Sequence, residues 1–296
     1  MAGDALWPYV TLSWDPQGAN GATMNQNDNR GNYIYAWAGT PATSTTWAAV
    51  GGSSAWYNGS ARSLCSYNAG WNFGAGDFEI NFWMYQVART SPWACLFGFG
   101  HDSPAQGWRI LIGTTGQVNF NAHQGGGFAS VDLNLVPLNI ATHLALGRYN
   151  GVEFLYKNGV EVPLTGTAGN INAYSGGLQV SGTIGNNWLY TGHLDRIEIL
   201  KGAVRHTAAF TPETSTFLPY AGQVSGVIRD STGAACARTV RAFRRDTGAL
   251  VSSTTSDAGT GAYSMNLPTL DELNIVAYDD AAGTFQNDII HRVIPA

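Results

Sequence analysis

Two Asn-Gly steps, Asn150-Gly151 and Asn158-Gly159, constrain this chain more than any other feature. A two-residue type I′ turn needs positive φ at both central positions, and Asn followed by Gly adopts that conformation most readily. The first step joins HLALGRY (143–149) to VEFLYK (152–157), and the second turns at once into Val160 to Val162. This stretch is therefore committed to an antiparallel meander. FEINFWMYQ (78–86) alternates, with Phe78, Ile80, Phe82 and Met84 on one face and Glu79, Asn81, Trp83 and Tyr85 on the other. WRILIG (108–113) and QVNFNA (117–122) flank Thr114-Thr115-Gly116 as a further hairpin. LQVSGTIG (178–185) and HLDRIEIL (193–200) complete the strands; in the latter Ile197 and Ile199 face one way and Arg196 and Glu198 the other. The best helical window, Leu135 to Leu146, is broken by Pro137. The fold class is all-β, an antiparallel sandwich over about residues 8 to 218, with long loops in the less regular first seventy residues.

A composition shift near Pro219 to Gly222 marks a boundary, giving domains 1–219 and 220–296. The second part holds four to six short strands punctuated at Ser231-Thr232-Gly233, Asp246-Thr247-Gly248 and Asp257 to Gly261, the spacing of a small immunoglobulin-like sandwich. Charged residues are only 12% of the chain, lysines are just Lys157 and Lys201, and Gly, Trp, Tyr and Phe number 37, 10, 13 and 12. Such a surface suits a protein partly covered by other subunits, with a secreted lectin-like domain as the alternative.

The net charge of −5 provides no basic stripe for a phosphate backbone, so nucleic acid is not an expected partner. Arg238, Arg241, Arg244 and Arg245 read as a solvated strand face in a net acidic segment. Cys65, Cys95 and Cys236 are odd in number and widely spaced, which fits small core residues in a reducing compartment rather than a disulfide framework. No apolar run approaches the roughly 20 residues of a membrane span, and the N-terminus lacks a basic, apolar leader pattern.

No catalytic constellation is legible, and the expectation is a non-enzyme. Glycan cleavage needs two carboxylates flanking the bond. Asp77 falls in the turn before the strand that carries Glu79, and simple alternation sends Asp195 and Glu198 to opposite faces. There is no G-x-S-x-G elbow. The six histidines (101, 123, 143, 193, 206 and 291) show no metal-binding spacing and read as isolated residues in loops or on solvent faces.

Four blocks, in order, carry a family resemblance: GGSSAWYNGS (51–60), GDFEINFWMY (76–85), THLALGRYNGVEFLYKNGVEV (142–162) and GHLDRIEILKGAVRHTAAFTP (192–212). They resemble the strands of concanavalin A-like/laminin-G-like domains. The version ending in KGAVRHTAAFTP is most similar to copies in tailed-phage virion proteins, and the C-terminal part resembles small transthyretin-like or carboxypeptidase-regulatory-like sandwiches. The resemblance implies a jelly-roll sandwich and a structural virion protein assembled in the host cytoplasm. Its setting would be tail-associated adhesion or receptor binding, with capsid decoration and a free carbohydrate-binding lectin as alternatives. It implies other virion proteins, a second copy of itself and a host surface glycan as partners. No cofactor is expected beyond calcium, for which Asp28, Asp102 and Asp132 are the loop candidates. For a glycan or partner contact, Asn186, Asn187, Trp188 and Tyr190 offer aromatic rings beside amides, and Trp108 near His101 and Asp102 is a second candidate.

Overall fold

The computed structural model of the chain describes residues 6–89, 91–102, 105–122, 126–182, 188–215, 222–230, 232–267, 272–278 and 288–294. The chain forms two compact units, Tyr9–Phe217 and Leu218–Ala296, with Met1–Pro8 grouped with the latter.

The larger unit is built from two antiparallel sheets. One contains β1 (Val10–Trp14), β4 (Ala42–Ser44), β5 (Ser54–Asn58), β7 (Phe78–Ala88), β12 (Thr142–Tyr149), β13 (Val152–Lys157), β14 (Val160–Glu161) and β17 (Thr191–Lys201). Its order is β14-β13-β12-β7-β17-β5-β4, and β1 shares with β5 the far edge of the long β17. The other contains β2 (Asn25–Asn27), β3 (Tyr33–Ala38), β6 (Arg62–Cys65), β8 (Trp93–Asp102), β9 (Ala105–Gly113), β10 (Val118–Ala122), β11 (Gly126–Ser130), β15 (Leu164–Thr167) and β16 (Leu178–Val180). It runs β15-β11-β10-β9-β8-β16-β6-β3-β2. Both Asn-Gly steps form the expected turns: Asn150 and Gly151 have φ of 50° and 79°, as do Asn158 and Gly159.

The inward faces meet in one core. Phe78, Ile80, Phe82 and Met84 of β7 and Leu194, Ile197 and Ile199 of β17 face Phe97, Trp108, Ile110 and Phe120 of the other sheet. An aromatic ladder runs through it: Phe78 stacks on Phe73 at 4.2 Å, Phe73 on Trp108 at 5.2 Å and Trp108 on Phe120 at 5.9 Å. Rings in such offset arrangements add roughly 0.5–1.5 kcal/mol per pair beyond their burial.

The smaller unit pairs β18 (Gly222–Val227) with β21 (Ala262–Leu267), and orders β19 (Thr239–Arg244), β20 (Leu250–Thr255), β22 (Leu273–Ala277) and β23 (Asp288–Val293) as β20-β19-β22-β23. Val224, Val240, Met265, Leu267, Leu273 and Ile275 form its core. The three expected turns contribute Gly233, Gly248 and Gly261, all at positive φ.

The alternation in β17 breaks at one point, which corrects the facing of Asp195 and Glu198. Asp195 lies opposite Trp83 and Glu198 opposite Asn81, so three steps along β17 match two along β7. Directly opposed residues share a face. The extra residue is a β-bulge with Arg196 at φ 44°, and it places both carboxylates on the outer face of the eight-stranded sheet.

Candidate functional site

That outer face has two unlike halves. Over Glu79, Asn81 and His143 the chain following β17 folds back and seals the sheet, with Trp83 half-buried beside them. Glu79 and Glu198 are fully buried there, and Asn81 Nδ2 donates to both at 3.0 Å. Arg205 grips Glu198 through Nε and Nη2 at 2.8 and 2.7 Å, the planar fork of a bidentate pair. Glu79 accepts the backbone N–H groups of Arg205 and His206 at 2.6 and 3.0 Å. His206 bridges two carboxylates, with Nδ1 2.6 Å from Glu79 and Nε2 3.4 Å from Glu213. Burial alone would lower the His206 pKa, but its bonds to Glu213 and Glu79 override this and raise it to about 9. Burial acts against ionisation of Glu213 as well, yet His206 and Arg196 hold it down at about 2. Three carboxylates therefore face Arg196, Arg205 and an imidazolium.

The same segment adds an apolar plug. Phe210 stacks on His206 at 3.5 Å and packs on Tyr156 at 5.6 Å, and its N–H donates to Gly159 O at 3.0 Å. Gly159 is required for this contact, because a Cβ there would lie 1.7 Å from Phe210 O. His143, expected on a solvent face, is completely buried beneath the plug, and burial lowers its pKa to about 3. His193 and His206 are likewise buried rather than solvent-facing.

Beyond the bulge the face is open. Tyr85 of β7, His193 of β17 and Trp56 of β5 stand in one cross-strand row, which ends at the small Ala42 of β4. Trp47, from the loop after β4, stacks on Tyr85 at 5.4 Å, and His193 lies 4.6 Å from Trp56. These rings line a pocket of about 560 Å³, whose rim carries Asn20, Thr46 and Asn139. Among the described residues that line it there is no Asp, Glu, Lys or Arg.

Hydrogen bonds fix both the loop and the imidazole. Asp195 Oδ2 accepts the N–H groups of Ala49 and Val50, both at 2.8 Å, anchoring the loop that presents Trp47. Burial pushes the Asp195 carboxyl up to about 7 despite these donors and the Arg196 N–H. Ser54 Oγ donates to Trp47 O at 2.5 Å and lies 2.9 Å from His193 Nδ1. With the hydroxyl hydrogen so committed, Nδ1–H must be the donor to Ser54, which leaves Nε2 an acceptor. Burial lowers the His193 pKa to about 4, so the ring is neutral near pH 7. The pocket therefore offers aromatic faces, amides and a neutral acceptor, a set matched to an uncharged polyhydroxylated ligand.

The residues singled out from sequence are dispersed. Trp108 and Tyr190 are core residues rather than ligand contacts: both are 0% exposed, with Trp108 Nε1 donating to Trp71 O and the Tyr190 hydroxyl to His193 O. Asn186 and Asn187 lie outside the described residues. Trp188 lines a separate pocket on the other sheet. Asp28 is buried and closes its own loop, accepting N–H groups from Ser13, Arg30 and Asn32 at 2.9, 2.9 and 2.7 Å. Asp132 closes an exposed turn to Asn134 N, and only the backbone of Asp102, at the end of β8, is described. Asp28 and Asp132 are each committed to their own loop, and no group of three or more His, Cys, Asp or Glu side chains suited to a metal occurs among the described residues.

Trp47, Trp56 and His193 were missed as site residues. The available signal was Tyr85 beside Trp83 on the non-core face of β7, an unusual pair for a strand face expected to be wet.

No protein-family model and no curated protein sequence matches the chain. Among solved structures it is similar to the binding domain of Paraclostridial Mosquitocidal Protein 1, with TM-score 0.51 and 11% identity over 97% of this chain and 76% of that one. It is also similar to domain 4 of AbnA, a GH43 extracellular arabinanase from Geobacillus stearothermophilus, in complex with arabinotriose. There the TM-score is 0.49 and the identity 17%, over 68% of this chain and 96% of that one. At 11% identity the likeness to the mosquitocidal protein's binding domain bears on the fold alone, and together with the sheet order it makes the chain an antiparallel β-sandwich protein.

Proposed function

We propose that the Tyr9–Phe217 unit is a non-enzymatic carbohydrate-binding module, and that the chain serves a tailed-phage virion as a tail-associated adhesion component. The observation that carries the binding reading is the row Tyr85–His193–Trp56 with Trp47 stacked beside it. Apolar sugar faces pack on such rings while hydroxyls reach Asn20, Asn139 and His193 Nε2. The non-enzymatic reading is supported by a pocket whose described lining holds no carboxylate, and by the burial of Glu79 and Glu198 beneath the 201–215 segment. The setting rests on the four sequence blocks, above all KGAVRHTAAFTP. The binding domain of the mosquitocidal protein is a neighbour in fold that is itself named for binding.

A glycan array probed with the purified chain tests the binding. Uncharged glycans should bind, and Trp56→Ala should weaken that binding at least about tenfold, the scale of one lost aromatic contact. An array with no uncharged glycan bound, or a variant that binds like the parent, rejects the reading. Mass spectrometry of purified particles tests the setting: a few to tens of copies fit a tail appendage, hundreds fit decoration, and absence removes the virion role.

A further inference from the structure

At the β2 end of the nine-stranded sheet, the β2–β3 hairpin carries a row of rings that the aromatic pocket does not use. Alternation puts Ile34 in the core and Tyr33 and Tyr35 on the outer face of β3, with ring centroids 5.7 Å apart. Trp37 follows in the same strand at a bulge. Tyr33 is 46% exposed and Trp37 53%, with Tyr35 half-buried between them. On β2, Gln26 turns the other way and accepts the Trp14 Nε1–H at 3.2 Å, so Asn25 and Asn27 share the outer face. Register sets Asn25 opposite Tyr35 and Asn27 opposite Tyr33, and directly opposed residues share a face. Each tyrosine therefore has an exposed amide at its side.

The row is held in place. β3 is paired on both sides, by β2 and by β6. The Tyr33 N–H donates to Ser66 Oγ at 3.2 Å, and its carbonyl accepts the Ser66 N–H at 3.0 Å. The loop joining the two strands is closed by the buried Asp28, which accepts the N–H groups of Arg30 and Asn32. Asn29 Nδ2 donates to Ser13 Oγ at 3.2 Å and Asn32 Nδ2 to Thr11 O at 2.8 Å. Gln26, Asn29 and Asn32 thus serve the fold, whereas Asn25 and Asn27 project into water.

A ring beside an amide matches one sugar unit, whose CH face packs on the ring while its hydroxyls reach the amide. Here the pair occurs twice, one strand period of about 6.8 Å apart, and Trp37 extends the row. A ligand that meets equivalent pairs in succession is itself repetitive. Protein contacts instead concentrate their energy in desolvated, close-packed pockets, and Tyr33 and Trp37 stand half in water. From this geometry we infer that Tyr33, Tyr35 and Trp37, with Asn25 and Asn27, form a platform for an uncharged, extended polysaccharide. None of the five side chains carries a charge. The platform is a separate site, on the opposite sheet from the pocket of Tyr85, Trp56 and Trp47.

Affinity electrophoresis of the full chain through gels containing hydroxyethyl cellulose, arabinoxylan, galactomannan or dextran tests the inference. At least one polymer should retard the chain. The double variant Tyr33→Ala/Tyr35→Ala should weaken that binding at least about tenfold in Kd, whereas Trp56→Ala should leave it in place. No retardation in any gel, or equal retardation of the double variant, overturns the inference. Retardation that disappears with Trp56→Ala also overturns it, by placing the polymer in the pocket. A dimer in sedimentation that the double variant dissolves, without retardation in any gel, overturns it in favour of a second copy of the chain. If the double variant does not fold, hydroxyl-radical footprinting of the unaltered chain decides. Oxidation of Tyr33 and Trp37 should fall in the presence of the retarding polymer, and unchanged oxidation overturns the inference. Failure here leaves the pocket reading standing, because the array tests that reading with short glycans and through Trp56.

Discussion

Strands β7 and β17 build two opposite surfaces on one sheet face. On one side of the Arg196 bulge, Glu79, Asn81 and Glu198 are buried beneath the 201–215 segment by a network of ion pairs and hydrogen bonds, with Trp83 half-buried beside them. On the other, Tyr85 and Trp56 line an open pocket with the buried His193 between them at its floor and the loop carrying Trp47 folded against them. The sealed half places polar residues where water has been removed, and there Glu79 and Glu198 are held by paired donors while His143 stays neutral with both ring nitrogens unpaired. The open half places aromatic residues where water remains, so they are available to a ligand. The position of a covering segment, rather than residue polarity, separates structure from site.

Breaking the seal should produce the largest effect. Arg205→Ala leaves Glu198 buried and without its bidentate partner, and is expected to cost about 3–5 kcal/mol in urea unfolding. A loss under about 1 kcal/mol would mean that the network is ornamental.

The next effect is pH-dependent. The pKa of His206 is raised from 6.5 to about 9, so its contribution is complete below 6.5 and disappears as pH rises through about 9. That of Glu213 is depressed from 4.5 to about 2, so its contribution is complete above 4.5 and disappears as pH falls toward 2. The stability difference between the parent chain and His206→Gln should therefore plateau between pH 4.5 and 6.5 at roughly 2–3 kcal/mol. It should shrink toward pH 9. A difference that is flat from pH 5 to pH 9 contradicts an imidazolium bridge.

Smaller effects sharpen the contrast. Both ring nitrogens of His143 are buried without a partner, so His143→Phe should raise stability by about 1 kcal/mol, measured by thermal or urea unfolding. Trp56→Ala, on the open half, should cost only about 1 kcal/mol of stability while removing glycan binding. Binding should weaken first as Asp195, the anchor of the Trp47 loop, protonates around 7, and again as His193 protonates near 4, since the charged ring loses its acceptor at Nε2.

Much of the scaffold was legible in local sequence. The Asn-Gly turns, the apolar face of β7 and the absence of helical period are short-range signals, and each appears in the fold. The site was less legible because it is a row across strands. Tyr85, His193 and Trp56 meet through pairings between residues more than a hundred positions apart in the case of Tyr85 and His193. No local pattern specifies that register. Arg196 misled for a related reason: a non-glycine residue at positive φ leaves no compositional mark, so strict alternation misplaced Asp195 against Glu198. Trp108 and Tyr190 misled because aromatic residues near polar ones look alike in a core and in a binding loop.

The most direct test is a ¹H–¹⁵N titration of the tryptophan indole resonances with an uncharged oligosaccharide that the array selects. The indoles of Trp47 and Trp56 should shift progressively to saturation. That of Trp83, which donates to Glu213 O at 3.0 Å beside the buried network, should stay in place. Movement of Trp83 without Trp56, or saturation binding that moves neither Trp47 nor Trp56, would contradict the assignment of the open half as the glycan site.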